Sequence, residues 1–573
     1  MAYYLQQIAP STYLGAAVIT VLLGLLYYAA LPKPIAGIPY NKKHANSLFG
    51  VVPDLIRHVS KTNTLVDFLT AQGQELNTPI FQTFFGPFVK PVVMMTDYRE
   101  NYDILTKRAP EFDRSKIFED FFSGLVPDHH IHMPTNARWK AQRKLLADTM
   151  SATFLHNVAA MHLEKQISLL MDLWQVKSRT GHAFHAADDI NHMALDGIWA
   201  VAFGTDIDTI KTQKDFLHDK KIDLPSNKDD KVVFPAPELP ADYHAIITVT
   251  DSVTVAAQSP FPKLAHWWVR QHKYYKTARA RTTQLVTSAL DDAKRRLLTK
   301  EADDSMINCA TDNMVRREQQ AADKEGREPG FDSPAAKDEL LGFLIAGHDT
   351  TSTTVMWGVK FLADNQEAQT KLRAALREAH PDIARGQVPT ADAISKAHVP
   401  YFDAVLEEML RLSITIPTQS RKALKEVVIL GHRIPAGTDV NQLANGPGYI
   451  LPDPYADKID ENLRSPTSRE AKGKVGTWGD DVREFVPERW LKTDEKGETV
   501  CDPRAGPSLP FGAGPRGCFG RKLAYLELKV LFTLMLWRFE LKRAPKTLSG
   551  YAAEDTLTHK PKQCYILPVP IES

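Results

Sequence analysis

Cys518 has the surroundings that point most directly to chemistry in this chain. It lies in the segment Phe511-Gly-Ala-Gly514-Pro-Arg516-Gly-Cys518-Phe-Gly520, directly before a long apolar pattern. The glycines at 512, 514, 517 and 520 allow positive φ and let the backbone approach a flat ligand without Cβ clashes. A helix that begins near Gly520 would offer N–H groups and a positive dipole end to the sulfur, which favours the thiolate that ligates iron. Arg516 could neutralise a carboxylate of the same ligand.

This segment resembles the haem-binding loop of the cytochromes P450. The resemblance implies haem b, iron protoporphyrin IX, with Cys518 as the axial thiolate ligand of the metal. It also implies that Phe511, Gly514, Arg516 and Gly520 bind the haem. The alternative is a buried cysteine that packs as a small hydrophobe, and the glycines, the arginine and the following helix disfavour it.

A second candidate site is the run Ala346-Gly-His-Asp349-Thr350-Thr351, inside a strongly apolar helical pattern. Its glycine and threonines weaken a helix, and we expect an opened turn that leaves a groove for oxygen and water. The run resembles the oxygen-activation signature of the same family, which implies Asp349 as proton-relay acid and Thr350 as the hydroxyl that steers the proton. The alternative is an N-cap and helix kink. We expect His348 on the helix surface rather than as a ligand.

Two further segments are candidates for binding the carboxylates of the haem. Trp139-Lys-Ala-Gln-Arg143 places an indole N–H and a guanidinium one helical turn apart, within reach of one anionic group. It resembles the W-x-x-x-R element of the family, which binds a haem propionate; an ordinary amphipathic helix is the alternative. Arg421 falls where the family often has another propionate partner, by position rather than by motif.

Glu408 and Arg411 lie three residues apart on a helical pattern that is apolar enough to bury them. Most such pairs are solvated, but Phe485-Val-Pro-Glu-Arg489-Trp offers a second arginine. The two segments resemble the E-x-x-R and P-E-R-F/W elements of the family. The resemblance implies a structural network of Glu408, Arg411 and Arg489 that holds the core around the haem-binding face.

Length and composition are consistent with one large catalytic body. The 573 residues include 43% hydrophobic and 24% charged side chains, and no Pro/Gly/Ser-rich linker divides the chain after residue 45. A net charge of +1, from 70 basic and 69 acidic residues, gives no overall field for nucleic acid. The four cysteines are scattered and form neither a disulfide framework nor a zinc pattern.

Residues 14–31 differ from the rest because they are almost wholly apolar. As a helix they would span about 27 Å, close to the hydrocarbon thickness of a bilayer. Basic residues begin only at Lys33, so the positive-inside rule puts the following body in the cytosol. We expect a single transmembrane anchor at 13–31 and a proline-rich hinge at 32–45, which resembles that of microsomal P450s in the endoplasmic reticulum. A cleaved secretory signal is the alternative, but the basic n-region is missing.

Beyond the hinge, two short β-like runs, 80–84 and 89–95, precede mostly helical patterns. The predicted fold is therefore mainly α with a smaller β region, and the resemblance implies the P450 fold for a catalytic domain at 46–573. Thr205 to Tyr243 and Thr299 to Ser333 are expected to be solvated surface loops. The stretch between Val440 and Trp478 is longer than is usual in the family, and we interpret it as a surface insertion.

The family resemblance implies a monooxygenase that hydroxylates or epoxidises a substrate. No flavin or nicotinamide domain is visible, so electrons from NADPH are expected through a separate NADPH-cytochrome P450 reductase, with cytochrome b5 as a further donor. An isomerase or dehydratase with the same fold, or a non-catalytic haem carrier, are the alternatives; neither needs the acid and alcohol of the Asp349 run. The Gly-Ile-Pro-Tyr-Asn sequence within the hinge resembles that of fungal members, which favours secondary-metabolite biosynthesis.

The substrate is expected to be lipophilic because the candidate pocket walls are mostly apolar. The candidate wall residues are Phe118, Phe121, Phe122, Phe343, Ala346, Ile416 and Thr418. Arg521 and Lys522, after the Cys518 segment, are expected on a face that meets an acidic redox partner.

Overall fold

The computed structural model describes residues 10–259, 261–298, 304–384 and 386–571. The chain divides into two compact units. The first consists of Met1–Phe112, Thr418–Pro447 and Asp453–Ala471, and the second of Asp113–Pro417, Gly448–Pro452 and Lys472–Ser573. The Cys518 segment and the Asp349 run both belong to the second unit.

Helices predominate, as the sequence predicts. They are α1 Pro10–Ala30, α2 Lys42–Ala45, α3 Val52–Thr62, α4 Val66–Glu75, α5 Tyr98–Leu105, α6 Lys116–Phe122, α7 Ala137–Leu145, α8 Ala152–Phe154, α9 Ala160–Ser178, α10 Ala187–Phe203, α11 Thr209–Leu217, α12 Ala241–Ala257, α13 Pro262–Gln271, α14 Lys273–Leu297, α15 Ala310–Glu325, α16 Pro334–Asp364, α17 Gln366–Ala379, α18 Ala391–Lys396, α19 Pro400–Ser413, α20 Pro466–Glu470 and α21 Arg521–Arg538.

The strands are short. They are β1 Ile80–Thr83, β2 Val92–Met95, β3 Phe112–Arg114, β4 Phe184–His185, β5 Thr418–Ala423, β6 Val427–Ile429, β7 His432–Ile434, β8 Asp439–Leu443, β9 Leu491–Thr493, β10 Thr499–Cys501, β11 Phe539–Lys542, β12 Ala553–Asp555, β13 His559–Pro561 and β14 Tyr565–Pro570.

The first unit contains the main sheet, in which four strands are hydrogen-bonded in the order β1-β2-β8-β5. β2 pairs antiparallel with β1 and parallel with β8. Val93 lies opposite Val440, and both side chains are fully buried. The two predicted β-like runs are therefore strands of this sheet, and β2 begins after Pro91 because proline has no N–H to donate to the ladder.

Helix α16 carries the Asp349 run through the core of the second unit. The Ser333 side chain caps its first turn by accepting a hydrogen bond from the Ala336 N–H at 3.2 Å, and Pro334 occupies the first turn. The helix packs closely on α10, since a Cβ at Gly347 would lie 2.4 Å from Ile198 Cγ1. The glycine of the run therefore permits close helix packing. The expectation of an opened turn in the Asp349 run is wrong, because α16 continues without a break through residues 346–351.

All three predicted surface segments are partly buried, which corrects the sequence prediction. Thr205 to Tyr243 contains α11, whose Ile210 is fully buried. Thr299 to Ser333 contains α15, whose first turns are also buried. The buried residues of these helices include polar ones, such as Thr209 and Asp312, so polarity along the sequence was a poor guide to exposure.

The insertion between Val440 and Trp478 is attached to the first unit by buried ion pairs. Arg464 donates to both carboxylate oxygens of Asp97, at 2.7 and 2.8 Å, and its side chain is 3% exposed. Ser465 Oγ donates to the Asp103 carboxylate at 2.5 Å. Although most of the insertion is exposed, these contacts fix its short helix α20 against α5, so it is more than a surface loop.

Helix α1 coincides with the predicted anchor. Its described large side chains are solvent-exposed, for example Leu22 at 58% and Leu25 at 61%. Within the described ranges, however, no helix satisfies the combined requirements of length and apolarity for crossing a membrane. The transmembrane segment at 13–31 therefore stays a prediction.

Glu527 on α21 provides a testable pH dependence of stability. Burial raises its pKa from 4.5 to about 8, opposed by a hydrogen bond from Thr351. Between these two values the folded chain holds a proton that the unfolded chain releases, so this contribution to stability falls as pH rises. We expect Glu527→Gln, which needs no proton, to gain about 1 to 4 kcal/mol over the wild type as pH rises through this window.

The measurement is the thermal unfolding midpoint of both proteins across that pH window. Glu540→Gln is the matched control, because the Glu540 side chain is 34% exposed and pairs with Lys542 at the surface. A constant difference between Glu527→Gln and the wild type across the window would contradict the account.

Candidate active site

The Cys518 segment folds into a tight bend that ends at α21. Gly514–Arg516 form one 3₁₀ turn, and the Cys518 N–H donates to the Phe511 carbonyl at 2.8 Å. Gly512 and Gly514 have φ of +62° and +67°, which only glycine adopts easily. Gly517 and Gly520 have φ values of −59° and −80°, so only two of the four glycines use the freedom to adopt positive φ.

Cys518 is an exposed residue beside the first turn of α21. Burial in the surrounding protein raises the pKa of its thiol. The N–H groups of Gly520 and Arg521 and the charges of Arg143 and Arg521 act in the opposite direction. The helix terminus therefore acts in the predicted direction, and the positive charge of a bound iron would favour the thiolate further.

Arg143 and Arg516 converge on the same bend. Arg143 donates to the carbonyls of Pro515 at 2.8 Å and Gly517 at 3.2 Å. Arg516 donates to the Met133 carbonyl at 2.9 Å. Both guanidiniums lie near the ring of buried Trp139, at 5.5 and 4.5 Å from its centre. The structure therefore brings together three of the predicted carboxylate-binding residues, on separate parts of the sequence.

Arg421 is buried on β5 in the first unit, where its Nη1 donates to the Ser420 carbonyl at 3.0 Å. Its proposed contact with a haem carboxylate stays a prediction.

On α16, Thr350 and Asp349 have distinct partners. The Thr350 hydroxyl donates to the Ala346 carbonyl at 2.7 Å, the predicted back-bond to the preceding turn. The Asp349 carboxylate pairs with Lys560 at 2.5 Å and accepts a hydrogen bond from Thr558 at 2.9 Å. Lys560 and Thr558 belong to the β12–β13 region, 209 or more residues away in sequence. Sequence analysis did not identify them, because no local pattern marks them.

The expectation for His348 is wrong. The side chain is buried rather than on the helix surface, with 8% exposure, and its Nδ1 donates to the Leu344 carbonyl at 3.0 Å. It lies near Asp251, whose pKa is raised by burial and lowered by the charges of His348 and Lys560. The variable position of His348 in the motif did not indicate its burial. Helix α16 is surrounded by protein along most of its length, so most of its residues are buried.

Glu408 and Arg411 form the predicted buried pair, through two hydrogen bonds of 2.8 Å. Arg489 Nε lies 3.2 Å from the Glu408 carboxylate, so the second arginine joins the network. Glu408 also accepts from the Trp490 indole at 2.9 Å, a partner that sequence analysis missed although the motif contains it. The guanidinium carbons of Arg411 and Arg489 lie 5.0 and 5.5 Å from the centre of the Trp478 ring.

The candidate substrate-pocket residues occupy several elements. Phe118, Phe121 and Phe122 lie on α6, Phe343 and Ala346 on α16, Ile416 after α19, and Thr418 at the start of β5 in the first unit. Ala346 is exposed although the residues before it on α16 are buried. The helix therefore presents an open face at the motif, and the role of each residue stays a prediction.

These residues fit a haem. The Cys518 sulfur lies beside two backbone N–H groups, and the guanidiniums of Arg143 and Arg516 at the same bend are available for the haem carboxylates. Helix α16 is exposed at Ala346, next to the acid Asp349 and the alcohol Thr350. The donor set is that of a thiolate-ligated iron porphyrin rather than of a tetrahedral metal site.

The comparisons with known proteins agree with this site. The family model described as Cytochrome P450 matches residues 45–446 and 477–566. The unmatched stretch 447–476 falls within the predicted insertion. The cytochrome P450 monooxygenase GME11363 of Pestalotiopsis microspora is 39% identical, over 97% of this chain and 98% of that protein. The cytochrome P450 monooxygenase TRI13 of Fusarium sporotrichioides is 34% identical over the same shares.

The crystal structure of the cytochrome P450DA heme domain has the same fold, with a TM-score of 0.67 at 18% identity over 94% of this chain and 98% of that one. Fold and site together define a haem-thiolate oxidoreductase. The chain belongs to the cytochrome P450 family and is a P450 monooxygenase.

Proposed function

We propose that this monooxygenase inserts one atom of O₂ into a lipophilic substrate, by hydroxylation or epoxidation, with electrons from NADPH supplied by a separate reductase. The observation that carries the proposal is the presence of Asp349 and Thr350 next to each other on α16, beside exposed Ala346. An acid beside an alcohol serves proton transfer. An isomerase, a dehydratase or a haem carrier has no need of such a pair.

Cys518 would hold the iron, and Trp139, Arg143, Arg421 and Arg516 would hold the haem carboxylates. A bound haem supplies electron transfer and oxygen binding, which no side chain provides. Phe511, Gly514 and Gly520 shape the bend around the ligand. The remaining chemistry, which is the supply of protons and the exclusion of water, belongs to the chain.

Asp349 is proposed as the proton-relay acid. Its carboxylate is 14% exposed and is held by Lys560 and Thr558. Thr558 also shares a hydrogen bond with Thr353, 2.9 Å away on α16. Lys560 and Thr558 hold the carboxylate in place, and its partial exposure allows Asp349 to exchange a proton with water while it keeps these contacts.

The aromatic side chains of α6 support a lipophilic substrate, since Phe118 and Phe121 are only partly buried and Phe122 is nearly covered. The relatives at 34 to 39% identity are fungal monooxygenases, which supports a place in fungal secondary metabolism.

The test uses purified holoprotein with NADPH, a cytochrome P450 reductase and a library of fungal metabolites. Binding is screened first as a substrate-induced shift of the Soret band. Oxygen uptake matched by an oxygenated product is expected for the binders. Product without oxygen uptake would identify an isomerase or dehydratase, and binding without any product would identify a carrier.

The reductase is proposed to dock near the start of α21. Arg521 and Lys522 are both exposed there, as an acidic partner requires. Lys522→Glu should raise the reductase concentration needed for half-maximal reduction, and the effect should shrink at high salt. Unchanged reduction kinetics at low salt would place the docking face elsewhere. Cytochrome b5 is proposed as a further donor to this face.

We propose an endoplasmic reticulum location, with the segment 13–31 as a single-pass anchor. Support comes from the exposed leucines of α1 and from α13 in the second unit, where Leu264, Trp267 and Trp268 are 53 to 60% exposed. Exposed tryptophans are typical of a membrane–water interface. The chain should resist carbonate extraction, and deletion of residues 1–31 should release it at least in part. Full extraction of the intact chain would contradict the anchor.

A further inference from the structure

His130 lies between α6 and α7 and is held by a fully buried carboxylate of α16. Its backbone N–H donates to Glu339 Oε1 at 2.7 Å, and its ring Nδ1 lies 2.6 Å from Glu339 Oε2. Gln142 Nε2 also donates to Oε1, at 3.2 Å. One side chain of the long helix thus fixes both the main chain and the ring orientation of His130.

The charges of the predicted carboxylate-binding arginines act on the His130 ring. Burial first, and then the charges of Arg143, Arg516, Arg114 and His132, lower its pKa to about 3. Arg516 contacts the His130 carbonyl at 3.4 Å. The neutral His130 ring adds no further positive charge beside these guanidiniums, and it can still donate a hydrogen bond to an anion that binds there.

The ring also contacts the segment that holds the predicted iron ligand. Its centre lies 6.0 Å from that of Phe519, the residue after Cys518. Nδ1 is occupied by Glu339, so Nε2 is the ring nitrogen left for a ligand. The His130 side chain is 14% exposed, which leaves it accessible to one.

We propose that His130 is a further haem-binding residue, whose Nε2–H donates to a haem carboxylate beside Arg143 and Arg516, and that Glu339 is its positioning residue. The proposal rests on haem binding at Cys518, not on the substrate or electron donor proposed above. For this contact the neutral His130 ring must carry its hydrogen on Nε2. Nδ1 then accepts a hydrogen bond from a protonated Glu339 carboxyl. Burial raises the pKa of Glu339, which favours that protonated carboxyl.

A metal ion is the competing occupant of this cluster. Ligand atoms of His129, His130 and Glu339 all lie within 4.8 Å of one another. However, the Glu339 oxygens already accept hydrogen bonds from the His130 backbone and from Gln142, and they contact both rings. These contacts account for the buried carboxylate without a metal, and metal content is therefore measured in the same test.

The test compares the holoproteins of wild type, His130→Leu and His130→Gln. His132→Leu is the matched control, because His132 lies in the same loop but its ring donates to the Val126 carbonyl, at 2.9 Å, rather than contacting Glu339. The rate of haem transfer to an excess of a scavenging haem protein should rise about 10-fold in His130→Leu, the loss expected for one hydrogen bond to a charged group. His130→Gln keeps an amide donor and should lie between.

A second readout separates cofactor contact from a general loss of stability. The propionate bending mode in the resonance Raman spectrum should shift in His130→Leu and in Glu339→Leu, and it should stay in place in His132→Leu. A wild-type rate and an unshifted mode in both His130 variants would overturn the proposal. So would one equivalent of metal in the wild type that His130→Leu loses while haem retention is unchanged. These haem readouts do not depend on substrate turnover, so failure of the oxygen-uptake test would count against the proposed function and not against the role of His130.

Discussion

Glu408→Ala is expected to yield almost no haem-containing protein. The carboxylate is completely buried and accepts hydrogen bonds from Arg411 and the Trp490 indole, with Arg489 at 3.2 Å. Its removal leaves two guanidiniums without their shared counter-charge, and breaking a buried pair costs about 3 to 5 kcal/mol. That is a large part of the stability of an ordinary domain. The measurement is holoprotein yield from the carbon monoxide difference spectrum, together with soluble protein by immunoblot.

Glu488→Ala is the matched control for this prediction. Glu488 lies in the same segment as Arg489, and its carboxylate is 44% exposed and pairs with Lys371 at 2.9 Å. An exposed ion pair of this kind contributes about 0 to 1 kcal/mol, so the control should give holoprotein close to the wild-type amount. Normal yield and unfolding temperature in Glu408→Ala would show that the network does not hold the core.

Asp349→Asn should lower product formation about 100-fold while the protein still binds haem and substrate. An amide keeps the hydrogen bond from Thr558 but cannot deliver a proton, and positioned general acids contribute factors of about 10² to 10⁴. We expect electron consumption without matching product, because oxygen is then reduced without transfer to substrate. The measurement is the ratio of product to NADPH oxidised, with substrate affinity from the Soret shift.

Asp364→Asn serves as the control for Asp349→Asn. Asp364 ends the same helix and accepts a hydrogen bond from the Tyr551 hydroxyl at 2.7 Å. Its substitution should leave the coupling ratio unchanged. A solvent isotope effect on product formation that is larger in Asp349→Asn than in the wild type would add support, whereas a wild-type coupling ratio would remove Asp349 from the proton relay.

The parts of this site that could be predicted from sequence are those that lie close together along the chain. Glycines and the following helix mark Cys518, and the spacing of Glu408 and Arg411 marks a shared helix face. Lys560 and Thr558 could not be found this way, since their contacts with Asp349 arise only when β12 and β13 fold against α16.

Burial was the other quantity that local pattern did not reveal. His348 and the helices α11 and α15 are more buried than their polar neighbours suggest, because a large helical core covers residues on several sides at once. Likewise, His130 and Glu339 are separated by 209 residues in sequence and meet only because α16 crosses the core of its unit. Such pairs carry no signal in a single sequence.

The most direct test of the account is the spectrum of the reduced protein with carbon monoxide, for the wild type and Cys518→Ser. Thiolate ligation gives the wild type the red-shifted Soret band that is typical of this family, and the serine variant should lose that band while any remaining folded protein keeps its helical circular dichroism. An unchanged red-shifted band in Cys518→Ser would contradict Cys518 as the iron ligand and the assignment of the site around it.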